Sequence, residues 1–171
     1  AELPDVESLA AVDDDRLMKL WEGLGYYSRA RNLKKAARLV VDEYGGVFPH
    51  SRGELLKLPG VGDYTAGAVA SIAMNLPEPA VDGNVLRVVS RLTGSREDIA
   101  KPQTKQAFSD ALRKIYPPGR CGDFTQALME LGATVCLPNG EPMCLVCPWR
   151  GLCAACREGS TDEIPVKAAK K

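Results

Sequence analysis

Cysteines are concentrated near the C-terminal end of the chain, where five of the six fall between positions 136 and 156. Four of them have the spacing C-x7-C-x2-C-x5-C: Cys136, Cys144, Cys147 and Cys153. Four thiolates on one compact loop can hold a [4Fe–4S] cluster. A zinc site would instead use Cys144 with Cys147 and Cys153 with Cys156, but two-knuckle zinc sites usually separate such pairs by about 15–20 residues, more than this loop provides. The spacing favours iron–sulfur over zinc and leaves Cys121 and Cys156 for small, partly buried positions.

A glycine-containing turn, Pro59-Gly60-Val61-Gly62, joins two stretches with helical patterning. Glycine adopts positive φ without strain and lets a phosphate approach the backbone closely. The N–H groups at the start of the following helix would then face that phosphate. Such a turn can also connect two helices without binding a ligand. The flanking Leu55, Leu58 and Thr65 make the pattern more specific than a simple connector. The segment is therefore a candidate phosphate-binding hairpin.

A third motif, Val81-Asp82-Gly83-Asn84-Val85, places a carboxylate directly before a helical apolar pattern. Aspartate is a preferred N-cap residue because its side chain accepts hydrogen bonds from free backbone N–H groups in the first turn. Capping alone explains Asp82, and one carboxylate does not establish catalysis.

The segments that must position these residues have hydrophobic side chains spaced with the period of an α-helix. One example is the set Leu17, Leu20, Trp21 and Leu24. Helix starts are predicted at Asp13–Asp15, Ser28, Ser51, Asp63, Asp82 and Asp123. No stretch shows sustained alternation with period two, so the chain is predicted to be all-α, with about seven or eight helices. The predicted organisation is a helical domain over 1–120 with the hairpin at about 51–74, a last helix and cysteine loop over 121–157, and a loose tail over 158–171.

The composition is that of one globular domain, with 171 residues, 45% hydrophobic and 26% charged. No apolar run approaches the roughly 18 residues of a membrane-spanning helix, and no secretory signal pattern is present. Membrane proteins, disordered chains and secreted disulfide scaffolds are therefore not expected. The 22 basic residues equal the 22 acidic ones in number, but Arg29 to Lys57 holds seven bases and three acids. Such a surplus suits a phosphate partner as well as a solvated helix face.

Four segments followed by the cysteine loop resemble the adenine DNA glycosylases of the MutY family: Trp21–Arg31, Leu58–Ala66, Pro79–Val85 and Glu130–Ala133. The resemblance covers nearly the whole chain and extends to the wider helix-hairpin-helix superfamily, which includes endonuclease III. It implies an all-α glycosylase core with a C-terminal iron–sulfur cluster loop. The implied function is base-excision repair, in which an adenine opposite 8-oxoguanine or guanine is flipped out of the duplex and its N-glycosidic bond is cleaved.

The resemblance also implies roles for individual residues. Asp82 matches the aspartate that stabilises the sugar cation, and Asn84 matches a supporting amide. Tyr64 stands where endonuclease III carries a Schiff-base lysine, which implies a monofunctional enzyme because a phenol cannot form that adduct. Gln126 matches an adenine contact, although it also has capping-box spacing from Asp123.

Further implied sites concern DNA and the cofactor. Tyr26 matches a wedge that intercalates beside the lesion, with Leu24 nearby, although core packing is the alternative for Tyr26. The implied contacts to the DNA backbone are Pro59, Gly60, Val61 and Gly62. The implied ligands of a [4Fe–4S] cluster are Cys136, Cys144, Cys147 and Cys153. The expected partner is double-stranded DNA with A:8-oxoguanine or A:G mispairs, and the expected state is a monomer without membrane association. For a bacterial protein the expected location is the cytoplasm, in association with the nucleoid.

Two features depart from the family pattern. The family protonates adenine with a glutamate on its first active-site helix, and Glu2, Glu7 and Glu22 do not match that motif. The chain is thus expected to be a fragment, inactive alone, that lacks this helix and the C-terminal domain recognising 8-oxoguanine. The loop between Cys136 and Cys144 has seven residues and no Lys or Arg, one residue more than is usual in the family.

Three alternatives to an adenine glycosylase core stay open. One is another mismatch glycosylase of the superfamily, such as a thymine-specific one. The second is a DNA-binding module without catalysis that keeps the hairpin and the cluster. The third is a helical domain held together by structural zinc.

Overall fold

The computed structural model describes residues 2–168, and within that range the chain has nine α-helices and no β-strand. The helices are α1 Val6–Ala11, α2 Asp14–Leu20, α3 Tyr27–Tyr44, α4 Arg52–Leu55, α5 Asp63–Ala68, α6 Gly83–Thr93, α7 Pro102–Arg113, α8 Cys121–Thr134 and α9 Ala154–Glu158. A π-helical turn, Val69–Ala73, continues α5, and a 3-10 turn, Cys144–Val146, lies in the cysteine loop. The all-α prediction is confirmed. None of the described helices combines the length and hydrophobicity needed to cross a membrane.

The chain divides into two compact units, Ala1–Gly62 and Asp63–Lys171. In the first unit α1 packs against α3, and the buried face of α3 includes Ala30, Ala37 and Val40. The ammonium group of Lys34 lies on the same face, is almost fully buried, and pairs with the exposed carboxylate of Asp14 at the start of α2. This ion pair connects α2 to α3.

The second unit contains α5 to α9, and its core lies around α6, which packs against both α8 and α9. The core residues are Val81, Val85, Val88, Val89, Phe108, Leu112, Tyr116, Cys121 and Leu128. A buried chain of hydroxyls runs beside this core, in which Tyr116 and Thr125 are 2.8 Å apart and Thr125 donates to Ser71 at 2.8 Å. These bonds connect α8 to the π-helical turn.

Three predicted helix starts are capped as expected, whereas Ser28 lies inside α3, which begins at Tyr27 without a side-chain cap. Asp13, Ser51 and Asp82 each accept a backbone N–H of the following turn. The predicted start of α8 at Asp123 is wrong, because α8 begins at Cys121, whose N–H donates to Asn75 Oδ1 at 2.7 Å. Asp123 instead pairs with Arg120 at 2.9 Å. A residue distant in sequence therefore accepts the hydrogen bond of the free backbone N–H at the start of α8.

Short elements and the C-terminal segment also differ from expectation. The helices α1 and α9 have only six and five residues, too few to show a hydrophobic stripe in the sequence. The segment predicted as a loose tail is packed near its start, because Ser160 and Ile164 are buried. Residues 169–171, the end of that predicted tail, lie outside the described residues. The predicted domain boundaries stay a prediction.

Candidate functional site

Asp82 is half-buried at the N-terminus of α6, where each carboxylate oxygen has its own partner. Oδ1 accepts a hydrogen bond from the Val85 N–H at 2.8 Å, and Oδ2 accepts one from Asn84 Nδ2 at 3.0 Å. The capping role predicted for Asp82 is confirmed by the first bond. The second bond orients the other oxygen, which keeps free lone pairs that can face a positive charge.

Arg87, which the sequence reasoning missed, holds Asn84 in place from one turn further along α6. Its Nη2 donates to Asn84 Oδ1 at 2.8 Å and to the Gly132 carbonyl at 2.7 Å, and its Nε donates to the Cys136 carbonyl at 2.7 Å. Burial lowers the pKa of the Arg87 guanidinium, yet arginine keeps its charge in proteins. A buried cation thus connects the Asp82–Asn84 pair to α8 and to the first cysteine of the loop.

Gly132 allows α8 to come close enough for this network. A Cβ atom at Gly132 would lie 2.6 Å from Asn84 Cβ, a distance that real Cβ atoms essentially never show, and 3.1 Å from Asn84 Cα. The glycine of the Glu130–Ala133 motif is therefore required by the close packing of α8 against Asn84. The sequence could have indicated Arg87 only through its i, i+3 spacing from Asn84 on the helix.

Tyr64 and Gln126 lie in the same unit as Asp82. The Tyr64 hydroxyl, on a side chain that is 41% exposed, lies 3.9 Å from Met129 Sδ on α8. Gln126 is exposed on α8, and its Nε2 donates to the Gly122 carbonyl at 3.2 Å, so the capping box with Asp123 is wrong. Met129 was not predicted, although it lies at i+3 from Gln126. The phenol of Tyr64 offers a hydroxyl but no amine.

The first unit presents Leu24 and Tyr26 at its surface. They are 62% and 78% exposed, so core packing is wrong for Tyr26. Tyr26 has φ +47°, which is a strained backbone for a large side chain. The Trp21 Nε1–H donates to the Gly25 carbonyl at 2.9 Å, and the Arg29 guanidinium lies 5.1 Å from the Tyr26 ring centre. These contacts hold an exposed apolar pair beside a cation.

The hairpin residues Pro59, Gly60, Val61 and Gly62 form a surface turn on buried leucines. Leu55 and Leu58 are buried beneath the turn, whereas both hairpin glycines are exposed. Gly60 has φ +79°, and a Cβ there would lie 2.7 Å from Asn32 Cβ of α3. Only glycine fits this position, and its exposed backbone is accessible to a phosphate. The structure thus supplies the two requirements of the predicted hairpin.

Five cysteines, Cys136, Cys144, Cys147, Cys153 and Cys156, line one small cavity of the second unit, and all are free thiols. Arg91 Nη1 donates to Cys136 Sγ at 3.3 Å, and Cys153 Sγ donates to the Arg91 carbonyl at 3.3 Å. Burial, together with the neighbouring thiols, raises the pKa of the Cys144 thiol to about 11.

The cysteines of this cavity are the donor type that an iron–sulfur cluster uses. Among residues 2–168, no group of three or more His, Cys, Asp or Glu side chains is arranged to hold one metal ion. A four-iron cluster makes a different demand, because its four thiolates bind at separate iron atoms. The cysteines are soft thiol donors around a cavity, and an arginine N–H is directed at one of the sulfur atoms. Both features fit an iron–sulfur cluster.

The outer face of the cysteine loop is apolar. Met143, Leu145, Val146 and Leu152 are all at least half exposed, and the loop between Cys136 and Cys144 contains Glu141 as its one charged residue. A phosphate contact from this loop segment has no basic side chain to make it.

Comparison with known proteins gives one family and a consistent set of relatives. Residues 1–114 match the HhH-GPD superfamily base excision DNA repair protein. The adenine DNA glycosylase of Mus musculus is 46% identical over 153 residues, which are 89% of this chain and 30% of that protein. That of Buchnera aphidicola subsp. Acyrthosiphon pisum is 34% identical over 168 residues, or 98% of this chain and 48% of that protein. The chain thus spans less than half the length of these curated relatives.

The chain is also similar to solved structures of DNA repair enzymes. A thermostable thymine-DNA glycosylase superposes with a TM-score of 0.79 at 31% identity and covers 90% of this chain and 70% of its own. A non-covalent endonuclease III–DNA complex gives a TM-score of 0.73 at 32% identity, with 91% and 71% covered.

Proposed function

Because the chain belongs to the HhH-GPD superfamily of base excision DNA repair proteins, we propose that it is the core of a monofunctional DNA glycosylase. Its substrate is adenine mispaired with 8-oxoguanine or guanine in duplex DNA. Curated relatives from mouse to Buchnera, all named adenine DNA glycosylase, support the choice of adenine.

The observation that carries the proposal is the orientation of Asp82. Cleavage of an N-glycosidic bond leaves positive charge on the sugar, and a fixed carboxylate stabilises that charge as it develops. Asn84 fixes one oxygen of Asp82 and is itself fixed by Arg87. Because Asp82 is half-buried, the carboxylate can interact with a flipped nucleotide without full solvent screening.

Tyr64 limits the reaction to base removal. A bifunctional glycosylase attacks the sugar with an amine and then cleaves the strand through the Schiff base. Tyr64 offers only a phenol, held near Met129. The product is therefore an abasic site in an intact strand.

DNA contacts are proposed at two places in the first unit. In the turn Pro59, Gly60, Val61 and Gly62, the N–H groups of Gly60 and Gly62 bind a phosphate, since the glycines leave the backbone open. Proline has no N–H, and the Val61 N–H donates to the Leu58 carbonyl at 3.1 Å. Tyr26 and Leu24 enter the base stack, where exposed apolar side chains fill the space left by a flipped base. Arg29, which lies against the Tyr26 ring, adds positive charge near the DNA.

A [4Fe–4S] cluster is proposed at Cys136, Cys144, Cys147 and Cys153. When bound, it supplies thiolate–iron bonds that connect distant parts of the C-terminal segment. Arg91 holds the site from α6 by its bonds to the Cys136 thiol and to the Leu137 and Ile164 carbonyls.

The test is a single-turnover assay of the protein at its full natural length, on duplexes carrying A:8-oxoguanine, A:G or T:G mispairs. Release of adenine from the first two, seen as strand breaks only after alkali, is the expected result. Strand breaks before alkali would contradict the monofunctional assignment. Release of thymine alone would favour the second candidate, a thymine-specific enzyme, which is supported by the superposition on the thymine-DNA glycosylase.

A further inference from the structure

The cysteine cavity contains one more thiol than a four-iron cluster requires. Four thiolates hold a [4Fe–4S] cluster, whereas five cysteines line the same cavity. The additional one is Cys156, which the spacing of the other four leaves out. Its position in the cavity distinguishes it from Cys121, which is buried in the core of the unit.

Cys156 lies beside two of the proposed ligands, because Cys144 and Cys153 line the same cavity. On α9, Cys156 lies three residues after Cys153, a separation that places two side chains on one helix face. Cys156 is half-buried, as expected of a residue that lines a cavity.

We propose that Cys156 is a reserve ligand that can replace Cys144 in binding one iron of the cluster. This inference rests on the cluster proposed above. In the exchange, the Cys156 thiol gives its proton to solvent and its sulfur binds the iron, while the Cys144 sulfur leaves that iron and takes up a proton. No electron is transferred, so the exchange needs no oxidant. A cluster that loses its bond to Cys144 would in this way keep all four of its irons.

The experiment compares alanine variants of the chain, because alanine, unlike serine, has no atom that binds iron. The wild type, Cys144→Ala, Cys147→Ala, Cys156→Ala and Cys144→Ala/Cys156→Ala are loaded anaerobically with ferrous iron and sulfide. Iron and sulfide per chain and visible absorption are then measured, and far-UV circular dichroism reports helix content. Cys121→Ala, outside the cavity, is the control for loss of a cysteine as such.

The wild type, Cys121→Ala and Cys156→Ala are expected to bind about four irons and four sulfides. Cys144→Ala should retain most of that content with a shifted absorption spectrum, since one iron has changed its ligand. The double variant and Cys147→Ala should lose iron by about tenfold or more, a loss of the size expected when a metal site is disrupted.

Two results would overturn the proposal, and they differ in what else they affect. If Cys144→Ala is as empty as the double variant while the wild type is loaded, Cys156 is not a reserve ligand, whatever the helix content, and the cluster itself stands. If the wild type binds no iron and sulfide, the proposed cluster fails as well. If Cys147→Ala retains as much iron and sulfide as Cys144→Ala, Cys156 does not specifically replace Cys144.

Discussion

The two carboxylate oxygens of Asp82 allow capping and catalysis to be separated by one substitution. Asparagine caps helices about as well as aspartate, so Asp82→Asn should fold and bind duplex DNA like the wild type. It cannot balance positive charge on the sugar, and the rate of adenine release should fall by about 10²–10³-fold or more. Single-turnover rates and duplex affinity of the full-length protein measure both effects. Asp123→Asn, at an exposed carboxylate of the same unit, is the control, and an unchanged rate in Asp82→Asn would leave Asp82 as a cap alone.

Arg87 should act as a positioning residue whose loss reduces both stability and rate. Lysine keeps the charge but cannot donate to Asn84, Gly132 and Cys136 at once. Because buried carbonyls left without a donor cost about 1–3 kcal/mol each, Arg87→Lys should lower the free energy of unfolding by about 2–4 kcal/mol. Urea denaturation measures this change.

The exposed Arg120, also part of an ion pair, provides the matched control, because Arg120→Lys should change stability by less than about 1 kcal/mol. A full-length Arg87→Lys protein should also release adenine more slowly at saturating protein, since Asn84 loses its anchor. Equal stability of the two variants would show that the Arg87 bonds contribute nothing net.

Single residues also show where sequence reasoning ends. Asp82 could be recognised because capping and catalysis both depend on its position directly before a helix. Arg87 could not, because two of its three acceptors are backbone carbonyls, which no residue type reveals. The exposure of Tyr26 was equally hidden, since Tyr26 and Tyr27 have the same chemistry, and the positive φ of Tyr26 is a property of the fold.

At the scale of the element, α8 begins where another part of the chain provides a cap. Asn75 has φ +55° and accepts the N–H of Cys121, 46 residues later in the chain. Asp123 with Gln126 had the local capping pattern, yet the distant amide determines the start. Local patterns predicted the long helices correctly because their stripes are intrinsic, and they failed where tertiary contact replaces local chemistry.

Two substitutions at Asn75 separate its two contributions. Asn75→Gly keeps the backbone conformation and removes only the cap, which should cost about 1 kcal/mol of unfolding free energy. Asn75→Ala removes the cap and adds left-handed strain of roughly 1 kcal/mol, so it should be the less stable variant. Urea unfolding of both variants, followed by circular dichroism, tests this order. If Asn75→Gly is as stable as wild type, the hydrogen bond to Cys121 does not hold the helix end.

At the scale of the whole molecule, charge balance determines how the chain can bind DNA. With 22 basic and 22 acidic residues, it has no net charge to attract a polyanion from a distance. Binding must then depend on local groups, the hairpin backbone and the few bases near it. The salt dependence of affinity is set by the number of phosphates that the protein neutralises. The logarithm of the binding constant falls with the logarithm of salt concentration, with a slope of about −0.9 per phosphate.

The chain should therefore bind duplex DNA weakly and with a shallow salt dependence. About two to four phosphate contacts predict a loss of affinity of roughly 10- to 150-fold between 50 and 200 mM salt, less than for strongly basic DNA-binding proteins. Gly60→Ala should abolish most of this binding, because its Cβ would collide with Asn32 and its φ is positive. Gly53→Ala, in the helix before the turn and facing open space, should bind normally. Fluorescence anisotropy with a labelled duplex measures all three proteins, and equal affinity of both variants would mean that the hairpin does not contact the DNA backbone.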